Sequence, residues 1–306
     1  SGAAHQDGTG ETSTLPAAVL GRSDLLQLMT AELSLTANAV DILTTGNAAE
    51  KAEKTLAVAE KWRSGCIRDV GHAEAPEAPA APEGVELVDP WKVPKRGSGG
   101  SAAKRIASLH SLCHIEQAAI NLSVDIIARF TDQNLPREFY DEWVRVAAEE
   151  AKHFTILSER LQQLGSHYGA LPAHDGLWSS ARETAHSLLS RLAIVHMVHE
   201  ARGLDVHPST VKKFANAGDQ ESVKLLEEII YPDEITHVQA GVRWFRFLCE
   251  RGGDDAISSF HKLVRENFRG NLKPPFNAEA REKAGFTKAW YEPLAHDIRE
   301  RSRIEK

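Results

Sequence analysis

Tyr231-Pro232-Asp233-Glu234-Ile235-Thr236-His237 carries a Glu-x-x-His pair, Glu234 and His237, inside a stretch of helical period. Residues three apart on a helix lie side by side, so this carboxylate and this imidazole aim at one point. One such pair is unremarkable in a chain of 306 residues. A second stands at Glu150-Ala151-Lys152-His153, and each pair has a lone glutamate on an earlier helical segment at the same remove: Glu116 precedes Glu150 by 34 residues, and Glu200 precedes Glu234 by 34. The half-site is repeated. Glu116 sits in the largely apolar turn His114-Ile115-Glu116-Gln117-Ala118-Ala119-Ile120, and Glu200 closes the run Ala193-Ile194-Val195-His196-Met197-Val198-His199. A carboxylate on a buried helical face costs roughly several kcal/mol unless it is paired or bound to a metal. Four of them on four helical segments call for one common explanation.

Outward from these pairs, the helical period is sustained from Ala102. The pattern predicts a first long helix over 102–130, with Ile106, Leu109, Leu112 and Cys113 on the side of Glu116. A second is expected from Pro136 to Leu164, stopped by Gly165; a third from Leu177 to Arg202, stopped by Gly203; and a fourth from the cap Asp219 to Gly252-Gly253. A short helix over 208–217 fills the connection between the last two. Helices are also expected at 254–268, 277–284 and 293–303. Nothing alternates at period two, so no strands are expected.

N-terminal to this region, residues 1–20 are rich in Gly, Ser, Thr and Ala and read as a flexible tail. Residues 21–65 read as a helical hairpin, with Ser23-Asp24 capping one helix and Asn47 capping another that passes through Trp62 and closes near Gly65. Residues 66–101 include Ala75-Pro76-Glu77-Ala78-Pro79-Ala80-Ala81-Pro82, which cannot hold a regular helix because each proline removes a donor and blocks the preceding turn. They read as an extended strap, with Trp91 as an apolar anchor beside the basic cluster Lys92, Lys95 and Arg96. The remaining segments are 102–251, the long helices, and 252–306, a C-terminal helical extension.

The formal charge of −7 argues against a general nucleic-acid binder. No apolar run approaches the roughly 20 residues of a membrane span. Cys66, Cys113 and Cys249 are too scattered for a disulfide framework or a thiolate zinc site, which points to a reducing, cytoplasmic setting. The start, Ser1-Gly2, reads as an expression scar or a processed terminus.

Carboxylates are hard ligands that can bridge two cations and cancel their charge, and imidazole adds affinity for iron or manganese. Glu116, Glu150, His153, Glu200, Glu234 and His237 therefore form a candidate ligand set for two metal ions, iron first, with manganese or a mixed pair as the alternative. Calcium fits less well because it prefers oxygen ligands alone. The set of two Glu-x-x-His helices and two single-Glu helices is that of di-iron and di-manganese carboxylate bundles. Glu149 and Asp233, each preceding the glutamate of a pair, are placed to accept the free N–H of a ligand histidine. Pro232 must kink its helix or open its hydrogen-bond ladder just before Glu234. His196 and Cys113 share a helical face with Glu200 and Glu116, but packing explains both. His110, His114, His199 and His207 receive no role, and Tyr140 and Tyr231 read as packed tyrosines.

On these residues the chain resembles the ferritin-like superfamily, whose di-metal members carry Glu, Glu-x-x-His, Glu, Glu-x-x-His in that order. The acids before each pair are similar to those of the bacterial multicomponent monooxygenases. Val93-Pro-Lys-Arg-Gly97, Arg202-Gly-Leu-Asp205, Asp233-Glu-Ile-Thr-His-Val238 and Leu272-Lys-Pro-Pro-Phe-Asn-Ala-Glu-Ala-Arg281 with Ala284-Gly-Phe286 are similar to a widespread group within it that has no assigned function. The resemblance implies an all-α fold: an antiparallel four-helix bundle with one long crossover, plus added N- and C-terminal helices. It implies the metal ligands but no substrate; the leading expectation is an oxidoreductase that activates oxygen on a small organic substrate, with an electron donor as partner. A ferroxidase or iron-storage protein and an RNA-modifying hydroxylase are the alternatives. The strap and the C-terminal segment are expected to shape a substrate pocket.

Overall fold

The computed structural model describes residues 34–93, 100–270 and 272–295. The expected tail at 1–20, the helix capped by Ser23-Asp24 and the end of the expected 293–303 helix lie outside the described residues.

Among the described residues the chain is all-helical, and the single β feature is an isolated parallel bridge between Leu87 and Ala173. No described helix is long and apolar enough to cross a membrane. Helix α1, Leu35–Thr44, starts where Ser34 accepts from the Ala37 N–H, and α2, Ala48–Arg63, starts where Asn47 accepts from Ala49 and Glu50. The sequence reading missed α1: its Thr and Asn residues are weak helix formers, and the helix is held by burial of Leu35, Ala39, Ile42 and Leu43.

The strap is pinned along its length. Leu43 O accepts from Ala80 N at 2.8 Å, Gly46 O from Glu83 N at 3.0 Å, and Pro76 O from the Arg129 guanidinium at 2.6 Å. Beyond it Trp91 is 78% exposed, so the expected apolar anchor does not anchor.

Four long helices follow. Helix α3 is Ala102–Arg129 and α4 is Arg137–Gln163, the latter ending before Gly165 at φ 76°. After a short α5, Gly176–Glu183, comes α6, which runs without a break through Leu188–Arg191, a π-helical stretch Leu192–His199, and Glu200–Asn216. Helix α7 likewise runs through Gln220–Lys224, a π-helical stretch Leu225–Ile230, and Tyr231–Gly252. It starts at the Asp219 cap and ends at Gly253, φ 78°. Helices α8, Ala256–Asn267, and α9, Ala278–Lys283, and a helical stretch at 288–295 complete the order. Helix α3 packs on α4, α6 on α7 and α4 on α7, while α1 lies on α3 and α2 on α4.

The expected third helix is corrected at both ends. It breaks at 184–187, where Ser187 caps a new start and the Thr184 hydroxyl accepts from Arg191. That break turns Arg191, with no exposed surface, onto Asp125, which Arg129 also holds at 2.6 Å. At the other end Gly203 does not stop the helix, because its φ is not left-handed; Gly218, at φ 74°, is the residue that does. The helix also passes Pro208, whose missing N–H frees the Leu204 carbonyl, and Asn277 Nδ2 donates to that carbonyl at 3.2 Å. The separate 208–217 helix is therefore the continuation of α6.

Asn277 also donates to the Tyr231 hydroxyl at 2.9 Å and caps α9. Beside it Arg281 donates to both oxygens of Asp205 at 2.8 and 2.6 Å, with both side chains buried, and stacks among Phe276, Phe286 and Tyr291. Replacing Arg281→Met keeps the stem and ring contacts but strands the buried Asp205 charge. A loss of about 3–5 kcal/mol is expected, read by urea denaturation.

Where α6 meets α7, a Cβ on Gly241 would stand 2.2 Å from His196 O and 3.2 Å from Met197 Cγ. The obstacle is backbone, so side-chain movement cannot relieve it. Gly241→Ala is expected to lower stability by about 1–3 kcal/mol, despite the better helix propensity of alanine; an unchanged denaturation midpoint would refute the close packing.

Candidate metal centre

The repeated half-sites converge. Glu116 comes from α3, Glu150 and His153 from α4, Glu200 from the first residue after the π-helical stretch of α6, and Glu234 and His237 from the first turns after that of α7. One potential ligand atom each of Glu116, Glu150, His153 and Glu234 lie within 4.8 Å of one another, a group that can hold a metal ion. His153 Nδ1 is 3.5 Å from Glu116 Oε2, 3.6 Å from Glu150 Oε2 and 3.5 Å from Glu234 Oε1. His237 Nδ1 is 2.9 Å from Glu150 Oε1 and 3.7 Å from Glu234 Oε1. Glu150 and Glu234 thus stand between the two imidazoles. Glu200 lines the same cavity, of about 130 Å³, as Glu116, Glu150 and Glu234.

The outer nitrogens of both imidazoles are engaged crosswise. His153, on α4, is 3.0 Å through Nε2 from Asp233 Oδ2 on α7, and His237, on α7, is 2.9 Å through Nε2 from Glu149 Oε2 on α4. A carboxylate accepts here, so Nε2 carries a proton in each ring, and Nδ1 is the nitrogen that faces the carboxylates of the centre. Both Nδ1 atoms are buried without a hydrogen bond, as is Glu150 Oε2. Glu149 is in turn held by Arg145 at 2.6 Å, and the same guanidinium nitrogen donates to Thr236 at 3.0 Å. Such partners fix ring orientation and tautomer.

Without a cation the electrostatics are unsettled. Burial pushes the Glu116 carboxyl well above the usual range, as it does Glu200, with Glu234 and Glu150 adding repulsion to the latter. Burial works against charge on His153 and His237 too, but the surrounding carboxylates outweigh it and raise both imidazoles well above their ordinary value. Glu150 is held low by the two imidazoles despite burial, and Asp233 is held low first by its bond from His153.

The remaining candidates have structural surroundings. His196 is buried against the Trp143 ring at 4.3 Å, and burial pushes the Cys113 thiol up. Tyr231 stacks on His207 at 4.1 Å, and Tyr140 is buried edge-on to Phe139. The sequence reading missed a second cavity of about 330 Å³ beside the centre, in which His110, His114 and His199 stand on the walls. Its walls also come from residues 171–177, and the strap contributes Val93; among the described residues the C-terminal segment does not line it. Histidines at 110 and 114, four apart on one helical face, were the available signal.

No solved structure matches the chain. A protein of Haemophilus influenzae, named as uncharacterized, is 42% identical over 214 residues, which cover 68% of this chain and 73% of the relative. A family model described as "Protein of unknown function (DUF455)" matches residues 44–292, and the chain belongs to that family.

Proposed function

We propose that the chain is a ferritin-like di-metal carboxylate oxidoreductase, in which Glu116, Glu150, His153, Glu200, Glu234 and His237 hold two ions, iron or iron with manganese. The observation that carries this reading is a contrast inside the fold. Other buried acids are answered by arginine: Asp125 by Arg191 and Arg129, Asp205 by Arg281, Asp219 by Arg160 at 2.7 Å. Among the described residues, the cavity that Glu116, Glu150, Glu200 and Glu234 share has no Lys or Arg on its walls. Four carboxylates carry the charge that two divalent cations would cancel, and the unpaired Nδ1 atoms supply the borderline donors that iron and manganese accept.

Bound there, such ions would supply the electrons and Lewis acidity for reaction of oxygen with a small organic substrate. The chain's own contribution is positional. Glu149 and Asp233 keep the proton on Nε2 and so keep Nδ1 free. The apolar walls Leu112, Ala119, Leu122, Leu226 and Ile230 exclude water from the carboxylates. Long helices from all four sides support the ferritin-like reading.

Protein produced with iron is expected to hold about two ions per chain by elemental analysis and to melt several degrees above its chelator-treated form. The double variant His153→Ala, His237→Ala should lose both the metal and that shift. Given excess Fe²⁺ in air, the chain should oxidise little beyond what it binds and retain no mineral core. Turnover of hundreds of Fe²⁺ per chain into a retained core would replace the oxidoreductase reading with storage.

Glu149→Gln and Asp233→Asn preserve shape but present an amide that can offer N–H to the ring, removing the fixed tautomer. Each is expected to weaken metal binding roughly 10–100-fold with the far-ultraviolet helical signal intact. Unchanged affinity in both, measured by competition with a chelator, would remove the orienting role.

A further inference from the structure

The 330 Å³ cavity and the 130 Å³ cavity of the Glu/His centre share five wall residues: Ile115, Leu177, His199, Gly203 and Val206. Two of these, Ile115 and Val206, are among the exposed large hydrophobic residues of the described chain, at 36% and 37%. Their exposure is to this opening. Gly203 lines both cavities from α6, three residues before Val206 and across from Ile115 on α3, and it stands inside a helix, where glycine costs roughly 0.5–1 kcal/mol relative to alanine. Neither a turn nor a close approach explains it: its φ is not left-handed, and a Cβ built there meets nothing within 4 Å. Gly241, on α7, is required by the backbone it touches; Gly203 faces open space.

The outer cavity is lined mainly by apolar groups, with Ser111, His174 and Asp175 also on its wall; burial pushes the Asp175 carboxyl above its usual range. Ala107, Ala118, Leu171, Pro172 and Leu177 form much of its wall. Its imidazoles are already engaged with the protein. His110 Nε2 accepts from the Gly169 and Leu171 N–H groups at 3.0 and 3.4 Å, His114 reaches the Tyr168 hydroxyl and His174 O at 2.9 and 3.0 Å, and His199 reaches the Ser180 hydroxyl at 2.9 Å. An acceptor nitrogen is unprotonated, and burial also pushes His110 down to about 4, so that ring brings no charge. Among the described residues Arg202 is the one Lys or Arg on the wall, and it is turned to Asp205 at 3.7 Å and Lys273 O at 3.4 Å.

We propose that Gly203 keeps open a passage from the 330 Å³ cavity to the Glu/His centre, and that this cavity admits an uncharged, largely apolar small molecule. The volume is that of a small-molecule site. The passage as a route to metal rests on the metal-centre reading; the cavity and its ligand class do not. A side chain at 203 would narrow the opening from the helix side, making this position a determinant of which molecules reach the carboxylates.

The test uses the full chain with 4-bromophenol, a neutral ring whose bromine is located by anomalous scattering, and azide as a small comparator. In metal-free crystals the wild type should show bromine in the outer cavity near Leu171, Leu177 and Gly203, and Gly203→Phe should displace it. In cobalt-loaded protein both 4-bromophenol and azide should perturb the visible cobalt bands. Gly203→Phe should raise the half-saturating 4-bromophenol concentration at least about tenfold, as expected of a steric block, and leave the azide response in place. Gly203→Ala guards against misfolding: helix propensity should raise its melting temperature while its 4-bromophenol response weakens. A glycine with a structural role alone would move stability without moving access. Bromine absent from the cavity, or equal 4-bromophenol responses in wild type and Gly203→Phe, would overturn the proposal. Failure of cobalt to bind would overturn the metal reading instead, and the bromine positions in the two crystals would then decide this one.

Discussion

Four carboxylates facing one interior volume, with no arginine or lysine among the described residues on its walls, form the constraint on which the rest of the structure depends. An uncompensated charge removed from water costs several kcal/mol even after relaxation. The chain keeps such a group only because α3, α4, α6 and α7 hold it from four sides and leave the carboxylates nowhere else to go. The crosswise bonds His153 to Asp233 and His237 to Glu149 tie α4 to α7 at the level of the centre. The same two bonds that set the imidazole tautomers therefore also set the distance between the helices that carry them.

Away from the centre, the polar interior follows a different rule, and that rule explains the outer parts of the chain. Asp205 and Arg281 join α6 to the C-terminal segment, with Asn277 taking the carbonyl that Pro208 leaves open. Arg129 joins α3 to the strap through Pro76 O. The motifs Arg202-Gly-Leu-Asp205 and Leu272 through Arg281 thus work largely as a clamp. They hold α6, which carries Glu200, against the C-terminal segment. Gly203 is the member of that motif for which the clamp has no use.

The two Glu-x-x-His pairs and their matched upstream glutamates were legible in the sequence because three-residue spacing on a helix is a geometric statement in itself. The all-helical class and the starts of the long helices at Pro136 and Asp219 were legible for the same local reason, since caps and prolines act within a turn, and the start at Ala102 was legible from the helical period. What escaped was decided by tertiary contact. Gly203 reads as a stop, yet a glycine stops a helix only when it turns left-handed. Pro208 reads as a new start, yet a donor 69 residues later lets the helix continue past it. Arg191 sits beside an apolar run and gave no sign of a buried partner 66 residues earlier. Helix α1 has poor propensity and exists because α3 covers it.

The two π-helical stretches end immediately before Glu200 and Tyr231, so the Glu200 turn and the Glu234-x-x-His237 turn each follow a widened one, whereas Glu116 and the Glu150-x-x-His153 pair sit in regular α-helix. An α-helix advances its faces by about 100° per residue, and a turn that absorbs an extra residue shifts the angular phase of everything beyond it. In α6 the stretch 192–198 is buried throughout, while the residues after Glu200 return to a one-sided pattern with Leu204, Val211 and Phe214 inward. The widened turns act as phase shifters between two separate demands, core packing upstream and ligand aim at the centre. Loss of one residue within Leu192–His199 or Leu225–Ile230 would leave composition, charge and helix content almost untouched, yet it would swing a carboxylate off the centre by more than a quarter of a turn. Relatives that differ by such a deletion would share this fold without sharing its ligand geometry.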